Sequence, residues 1–426
     1  MDVLGFTIVY PLLPFYAEKF GATPLVATTL VSVYALCSLF STPVIGRLSD
    51  QFGRRRLLLL SQAGTCAGFI VIGVSWSLPM VFIGRILDGV TAGNLSIAQA
   101  YISDHTQPEN RAKAFGIIGI AFGIGFSFGP AMAGWLVKYG QSVPFLVAAC
   151  LSAGSMICTY TLLQPGVPVA AAGPAGTAPP ALAAPVAPVA PGGKRPAVFD
   201  LKVYFEYFRR PGLGSLYLQF FLFAFSFSAF MSGFALFAER QFTTAAGGRW
   251  TASEVGYLFG YSGFLGIILQ GGILGRLLKK FGEVKLVLAG FGAAMIAYVA
   301  LGFTGTLAML LIVTAIATFG NGVLRPVVTS QITQRVGRHE QGVAIGISGS
   351  LNSLAMTIAP PIGGALLTLD LRFAWALVPA AAAAGGLLAA LANRKTRTIP
   401  PPQALPVAEL PKAVARTATP PPVAPT

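Results

Sequence analysis

The sequence predicts an all-α integral membrane protein, with twelve transmembrane helices arranged as two six-helix bundles. Three observations carry this expectation. Hydrophobic residues make up 54% of the chain and charged residues only 10%, against about a quarter charged in ordinary soluble domains, so there is too little polar surface to face water. Apolar stretches of about 20 residues, enough to cross a bilayer, recur along the whole length. The two halves of the chain also repeat one another in sequence.

The spans read as 2–17, 25–45, 57–76, 79–102, 113–137, 143–163, 213–238, 254–275, 284–303, 306–332, 342–369 and 372–392. Lipid offers the backbone no hydrogen-bond partner, so segments of this length are helices. The chain divides into a first bundle over 1–164, a linker over 165–212, a second bundle over 213–392 and a tail over 393–426. Residues 165–197 are almost entirely Ala, Pro, Gly and Val, a composition that builds no packed core. From Val198 to Arg210, Phe199, Tyr204, Phe205 and Phe208 alternate with Lys202, Arg209 and Arg210, as in a helix lying on a membrane surface. The tail is basic and proline-rich, and disorder is expected there.

A net charge of +15 raises the question of nucleic acid, but the Lys and Arg residues follow the loops. Arg47, Arg54, Arg55, Arg56, Arg111, Lys113, Lys279, Lys280, Lys285 and Arg335 fall on one side, whereas Lys19, Lys138, Arg240, Arg249 and Arg372 fall on the other. The positive-inside bias puts the first side, with both termini, in the cytoplasm. A multi-pass protein of the cell membrane, in a bacterium the inner one, follows, and no basic domain is left over to bind nucleic acid. The four cysteines lie within spans, and His105 and His339 stand alone, so no disulfide framework, metal site, cofactor or catalytic centre is expected. A cleavable signal peptide is not expected, for the basic n-region is missing. The opening span is short before Glu18, and the expectation is that part of the first helix lies upstream of Met1.

The repeat has a register of roughly 230 residues, and such internal repeats are characteristic of transporter folds. Gly46-Arg47-Leu48-Ser49-Asp50-Gln51-Phe52-Gly53 recurs as Gly275-Arg276-Leu277-Leu278-Lys279-Lys280-Phe281-Gly282. Gly93 and Asn94 echo Gly320 and Asn321, while Gly116, Pro130 and Gly134 echo Gly346, Pro360 and Gly364. Both copies run with the same topology, so an axis along the membrane normal should relate the bundles.

On these residues the chain resembles the major facilitator superfamily, and within it the twelve-helix drug:proton antiporters that include tetracycline efflux proteins. The segment Gly46 to Arg56, with Asp50 between Gly46 and Gly53 and followed by Arg54 and Arg55, matches the family's loop between helices two and three. The resemblance implies a conformational latch in which Asp50 faces a helix N-terminus or an arginine; a purely basic topogenic loop would explain the arginines but not Asp50. The second copy carries Lys279 instead of an acid.

Arg85, Asp88, Gly89 and Gly93 resemble the family's helix-four element, in which the arginine is linked to proton coupling. Arg85 and Asp88 share one helical face at a spacing of three, and a structural ion pair is the other reading. Gly116, Gly125, Gly129, Pro130 and Gly134 match the antiporter element of helix five, with Ala133 replacing one glycine. Glycines at helical spacing let helices approach closely and Pro130 bends the helix, whether as a hinge between bundles or as tight packing alone. The opening segment with Asp2, Gly5, Pro11 and Pro14 resembles the first helix of these antiporters and makes Asp2 a second candidate proton site. Tetracycline exporters carry a further acid in helix three, and Gly64 to Gly68 has none here, so tetracycline is not the expected substrate.

Asn94, Gln219, Asn321 and Arg325 are candidate cavity residues. Arg325, beside Pro326 in helix ten, either counters an anionic substrate or pairs structurally. The resemblance implies proton-coupled efflux of a small amphipathic molecule by alternating access, by a monomer whose partners are the substrate, protons and the bilayer. An importer of a sugar, organic acid or peptide in the same fold is the alternative. A receptor or scaffold would bring a large folded extramembrane domain, and an enzyme clustered nucleophiles, bases or metal ligands.

Overall fold

A backbone surrounded by lipid must close its hydrogen bonds within each segment, and helices are the result. The computed structural model describes residues 1–106, 111–163, 201–244, 247–337 and 340–395. The first half runs through α1 (Asp2–Val9), α2 (Leu13–Glu18), α3 (Pro24–Phe52), α4 (Arg54–Gly73), α5 (Leu78–Val90), α6 (Asn94–His105), α7 (Arg111–Leu136) and α8 (Val143–Leu162). After α9 (Leu201–Arg209), the second half runs through α10 (Leu213–Gln241), α11 (Ala252–Ile268), α12 (Leu274–Leu301), α13 (Leu307–Gln334), α14 (Gln341–Thr368) and α15 (Arg372–Lys395). Among the described residues the only β pairing is an isolated bridge, Thr243 to Arg249.

Several expected spans are interrupted, each for a local reason. The opening span is two short helices, because Pro11 donates no backbone hydrogen bond and crowds the preceding turn, while Pro14 opens α2. The span expected over 79–102 divides at Thr91 to Gly93. There the hydroxyls of Ser41 and Thr42 on α3 reach the carbonyls of Gly89 (2.7 Å) and Ala92 (3.0 Å), satisfying acceptors released by the break. Between α11 and α12 lies one π-helical turn, Leu269–Ile273, and α12 turns sharply at Gly282, whose φ of 76° suits glycine alone. Gly53 makes the equivalent turn between α3 and α4 at φ 96°.

Nine stretches of the described residues are long and apolar enough to cross a membrane. They are fewer than the twelve read from sequence because Ala252–Leu301 counts as one stretch across Gly282, the opening helices are individually too short, and α7 is incompletely described. Residues 164–200, which include the Ala/Pro-rich stretch over 165–197, together with His339 and the residues from 396 onward, lie outside the described residues. Of the amphipathic stretch, α9 is described. It is anchored on the second half by the adjoining Arg210, whose guanidinium meets both carboxylate oxygens of Glu340 at 2.8 and 2.9 Å.

Within the first half α1 packs on α7 and α8, while α4 packs on α5 and α8. In the second half α10 packs on α14 and α15, and α12 on α13 and α15. The halves meet through two equivalent pairs, α7 with α11 and α3 with α14. A methyl group on Gly134 of α7 would press on Gly256, Ser253 and Ala252 at the start of α11; one on Gly364 of α14 would press on Pro24, Leu25 and Thr28 at the start of α3. The sequence repeat therefore reappears as a repeat of contacts, as an axis between parallel copies requires.

Among the described residues, these contacts close the molecule on one face. On that face Glu18 of α2 pairs with Arg240 of α10 at 2.7 Å, the Leu25 amide donates to Thr368 (3.0 Å) and Ser253 donates to the Gly134 carbonyl (2.9 Å). At the other face a side chain added at Gly46, Gly275, Gly282, Gly346 or Gly349 would meet nothing within 4 Å. Gly349 lies two turns along α14 from Met356, whose carbonyl still receives a hydrogen bond from Ser32 of α3. The helix pair separates between those levels, and the open face is the one that carries Arg54, Arg55, Arg56, Lys279 and Lys280.

Candidate functional site

α5 is wedged between α3 and α4, and glycines make the wedge possible. A Cβ on Gly68 of α4 would lie 2.8 Å from the Gly84 carbonyl oxygen, and one on Gly89 of α5 would lie 2.7 Å from Cys37 Cβ of α3. In this packing Arg85 is 2% exposed. Its Nη1 pairs with Asp88 Oδ2 at 2.8 Å, and its guanidinium lies 4.3 Å from the ring centre of Tyr34 on α3. Arg85 Nε has no hydrogen-bond partner. Burying one charge here would be prohibitive and burying the pair is tolerable, so each member depends on the other.

Asp2 does not join that ion pair. Its Oδ2 accepts from Gln62 Nε2 of α4 at 3.0 Å, and the same nitrogen lies 2.8 Å from Ser155 Oγ of α8. Asp2 Oδ1 and Gln62 Oε1 are buried without partners. Thr65 stands one turn along α4 from Gln62, within hydrogen-bonding reach of Asp88, and the charges of Asp2 and Arg85 are both felt at Asp88. Arg85, Asp88, Thr65, Gln62 and Asp2 thus form one polar strip inside the first half. Gln62 was missed by the sequence reading; a lone amide inside the apolar run of α4 is the signal that marks it.

The loop expected to act as a latch is tied within its own half. Asp50 pairs with Arg54 at 2.5 Å, and Arg54 Nε also meets Asp104 at 3.0 Å. Arg55 donates to the Tyr160 carbonyl and lies over the Tyr160 ring. Gly53 is the turn itself, and Gly46 faces open space.

The helix-five glycines divide between two neighbours, one in the same half and one in the other. Gly125 and Gly129 face α1: the Thr7 hydroxyl donates to the Gly125 carbonyl at 2.8 Å, and a Cβ on Gly129 would collide with Thr7. Pro130 and Gly134 face α11 of the other half, where the Pro130 carbonyl and Gly134 lie against Gly256. Gly116 lies in the part of α7 whose side chains are not described.

The cavity candidates also divide. Gln219 is 1% exposed and donates to Ser215 on its own helix at 3.3 Å, so it belongs to the packed interior of α10 rather than to a cavity wall. Asn321 is engaged by Tyr298 of α12, its Nδ2 lying 2.9 Å from the phenol oxygen. Asn94 begins α6 half-buried, with Oδ1 unpartnered. Arg325 alone opens onto the space between the halves. Its side chain is exposed, and its guanidinium lies 5.1 Å from the ring centre of Phe122 on α7 of the first half.

Known proteins share this architecture. The chain is 28% identical over 369 residues to the class C tetracycline resistance protein of Escherichia coli, covering 85% of this chain and 86% of that one. It is 24% identical to multidrug resistance protein 2 of Bacillus subtilis (strain 168), covering 87% of each chain. The solved structure of the human organic anion transporter MFSD10 (TETRAN) superposes with a TM-score of 0.65 at 21% identity, over 91% of this chain and 96% of that one. Paired helix contacts that repeat with the sequence are thus joined by a family match over residues 1–271 and 216–424, and the chain belongs to the Major Facilitator Superfamily.

Proposed function

We propose that the protein is a proton-coupled exporter of small amphipathic molecules, working by alternating access in a cell membrane, with both termini in the cytoplasm. The basic residues of the open face support that orientation, and in it the structure opens towards the cytoplasm, where an exporter loads. The names of the E. coli and B. subtilis relatives, a tetracycline and a multidrug resistance protein, favour export over uptake.

The observation that carries the reading is the Arg85–Asp88 pair, 2.8 Å apart and almost fully buried. A proton arriving on Asp88 discharges the carboxylate and leaves the Arg85 charge uncompensated, which is costly in a low-dielectric interior and drives Arg85 away from its buried position. Release of the proton on the cytoplasmic side restores the pair. Asp2, held by Gln62, is the second acid of the same strip, and the Asp50 loop is the device proposed to close the open face in the opposite state.

The test is transport of a panel of fluorescent dyes by the full chain in proteoliposomes under an imposed pH gradient. Dye moving opposite to the protons is the expected result, with Asp88→Asn and Arg85→Ala losing gradient-driven movement while dye still binds. Dye moving with the protons would replace export by uptake.

A further inference from the structure

Cations held among these helices mostly have acids beside them: Arg85 has Asp88, Arg240 has Glu18 and Arg54 has Asp50 and Asp104. Arg325 is different. It lies well inside α13, and no carboxylate among the described residues pairs with it; its recorded contact is the face of Phe122. Open to water, a guanidinium in this position keeps its hydration. Once the halves close on it and water leaves, an uncompensated charge becomes very costly, so the closing cavity needs an anion at this point.

The surroundings define what kind of anion. Gln270, exposed in the π-helical turn, reaches between the two halves: its Oε1 lies 3.6 Å from where Gly123 of α7 would carry a Cβ, and its Nε2 lies 3.9 Å from the same position on Gly322 of α13. Those neighbours adjoin Phe122 and precede Arg325 by one helical turn, which brings the amide into the same corner. An aromatic wall continues from it. Phe122 stacks with Phe126 (6.4 Å), and Phe126 meets Phe227 of α10 edge to face across the halves (6.0 Å).

We propose that Arg325 and Gln270 form the recognition site for the anionic head of the cargo, so that the cargo is an aromatic or similarly apolar body bearing a carboxylate. The guanidinium presents a planar fork that matches a carboxylate with two hydrogen bonds, the Gln270 amide adds a donor, and Phe122, Phe126 and Phe227 receive the apolar body. The inference rests on the reading of the space between the halves as the cargo's path, and it holds for either direction of transport.

Three probes of one shape and different charge test it: 1-naphthylacetate, its neutral amide 1-naphthylacetamide and the cation 1-naphthylmethylammonium. Binding of tritiated 1-naphthylacetate to the full chain in lipid nanodiscs is measured after subtracting empty nanodiscs, with the unlabelled forms as competitors. The wild type should prefer the acetate to the amide by about tenfold or more and should bind the ammonium more weakly than either. Arg325→Gln should bring the acetate down to the level of the amide, and Arg325→Lys should keep part of the preference. Equal competition by acetate and amide in the wild type overturns the proposal without any variant, so a poorly folding substitution does not shelter it; an undiminished preference in a folded Arg325→Gln overturns it too. Acetate preference without proton-driven export would sink the export reading and leave this one standing, and export without acetate preference would do the reverse.

Discussion

Gly134 and Gly256 touch backbone to backbone: a methyl group on Gly134 would sit 2.9 Å from the Gly256 Cα. Two helices from different halves are in contact here with no side chain between them, and at the second seam Gly364 approaches the backbone of Pro24 and Leu25 with the Thr28 side chain laid against it. The closed face is thus held by close approach along two seams, together with the Glu18–Arg240 ion pair.

Gly134→Leu and Gly364→Leu should each disfavour the closed face. Overpacking a well-fitted contact costs about 1–3 kcal/mol, which shifts a two-state balance by roughly 5- to 150-fold. Spin labels at Tyr139 and Phe303, exposed on that face in opposite halves, should report a longer separation in both variants. An unchanged distance distribution would show that the seams do not set the balance.

Arg85→Ala and Asp88→Asn should each lower the melting temperature of the purified protein. Each variant leaves one partner of the pair buried and uncompensated, at about 3–5 kcal/mol. Combining Arg85→Met with Asp88→Asn should recover much of the stability while gradient-driven transport stays absent. Recovered transport in the double variant would separate coupling from this pair.

Gln62→Leu removes the donor to Asp2, whose other oxygen already lacks a partner. Stranding a buried acceptor costs about 1–3 kcal/mol, so the melting temperature should fall, and adding Asp2→Asn should bring it back towards that of the wild type. If Gln62→Leu melts with the wild type, the contact does not contribute to stability.

The anchor of α9 should respond to acid but not to moderate pH change. Arg210, bonded to both Glu340 oxygens and also facing Glu206 and Tyr207, holds the Glu340 carboxyl below the usual carboxylate range. A carboxyl whose pKa is lowered by folding contributes stability that is complete above its unfolded value of about 4.3 and is lost as pH falls through the lower folded value. Amide exchange in Leu201–Arg209, corrected for intrinsic rates, should therefore be steady from neutral pH down to about 5 and accelerate below about 4. Glu340→Gln should give the fast exchange already at neutral pH.

Features set by local spacing were legible in the sequence. Arg85 and Asp88, three apart on one helix, could hardly avoid each other, and Gly53 and Gly282 announced turns because glycine alone takes that backbone freely. Partnerships between distant segments were not legible. Nothing local in α4 assigns Gln62 to Asp2, and the spacing of Gly125, Gly129 and Gly134 defines helix faces without saying that the first two meet α1 and the last meets α11. Gln219 misled for the same reason: a polar residue in a phenylalanine-rich span reads as cavity-facing until its neighbours on α10 are known.

The register that aligns Gly46 with Gly275 also aligns Pro43, inside α3, with Gly272 in the π-helical turn that follows α11. Both seam-forming helices are therefore weakened at the same level, by different chemistry: a proline removes one backbone hydrogen bond in the first copy, and a widened turn with two adjacent glycines loosens the second. A rod joined at one end can splay at the other only by tilting as a whole or by bending. With a soft joint in each rod below its glycine contact, α3 and the α11–α12 segment can swing their far ends at Pro43 and Gly272 without first prising the seams apart, so the open face can close before the closed face lets go.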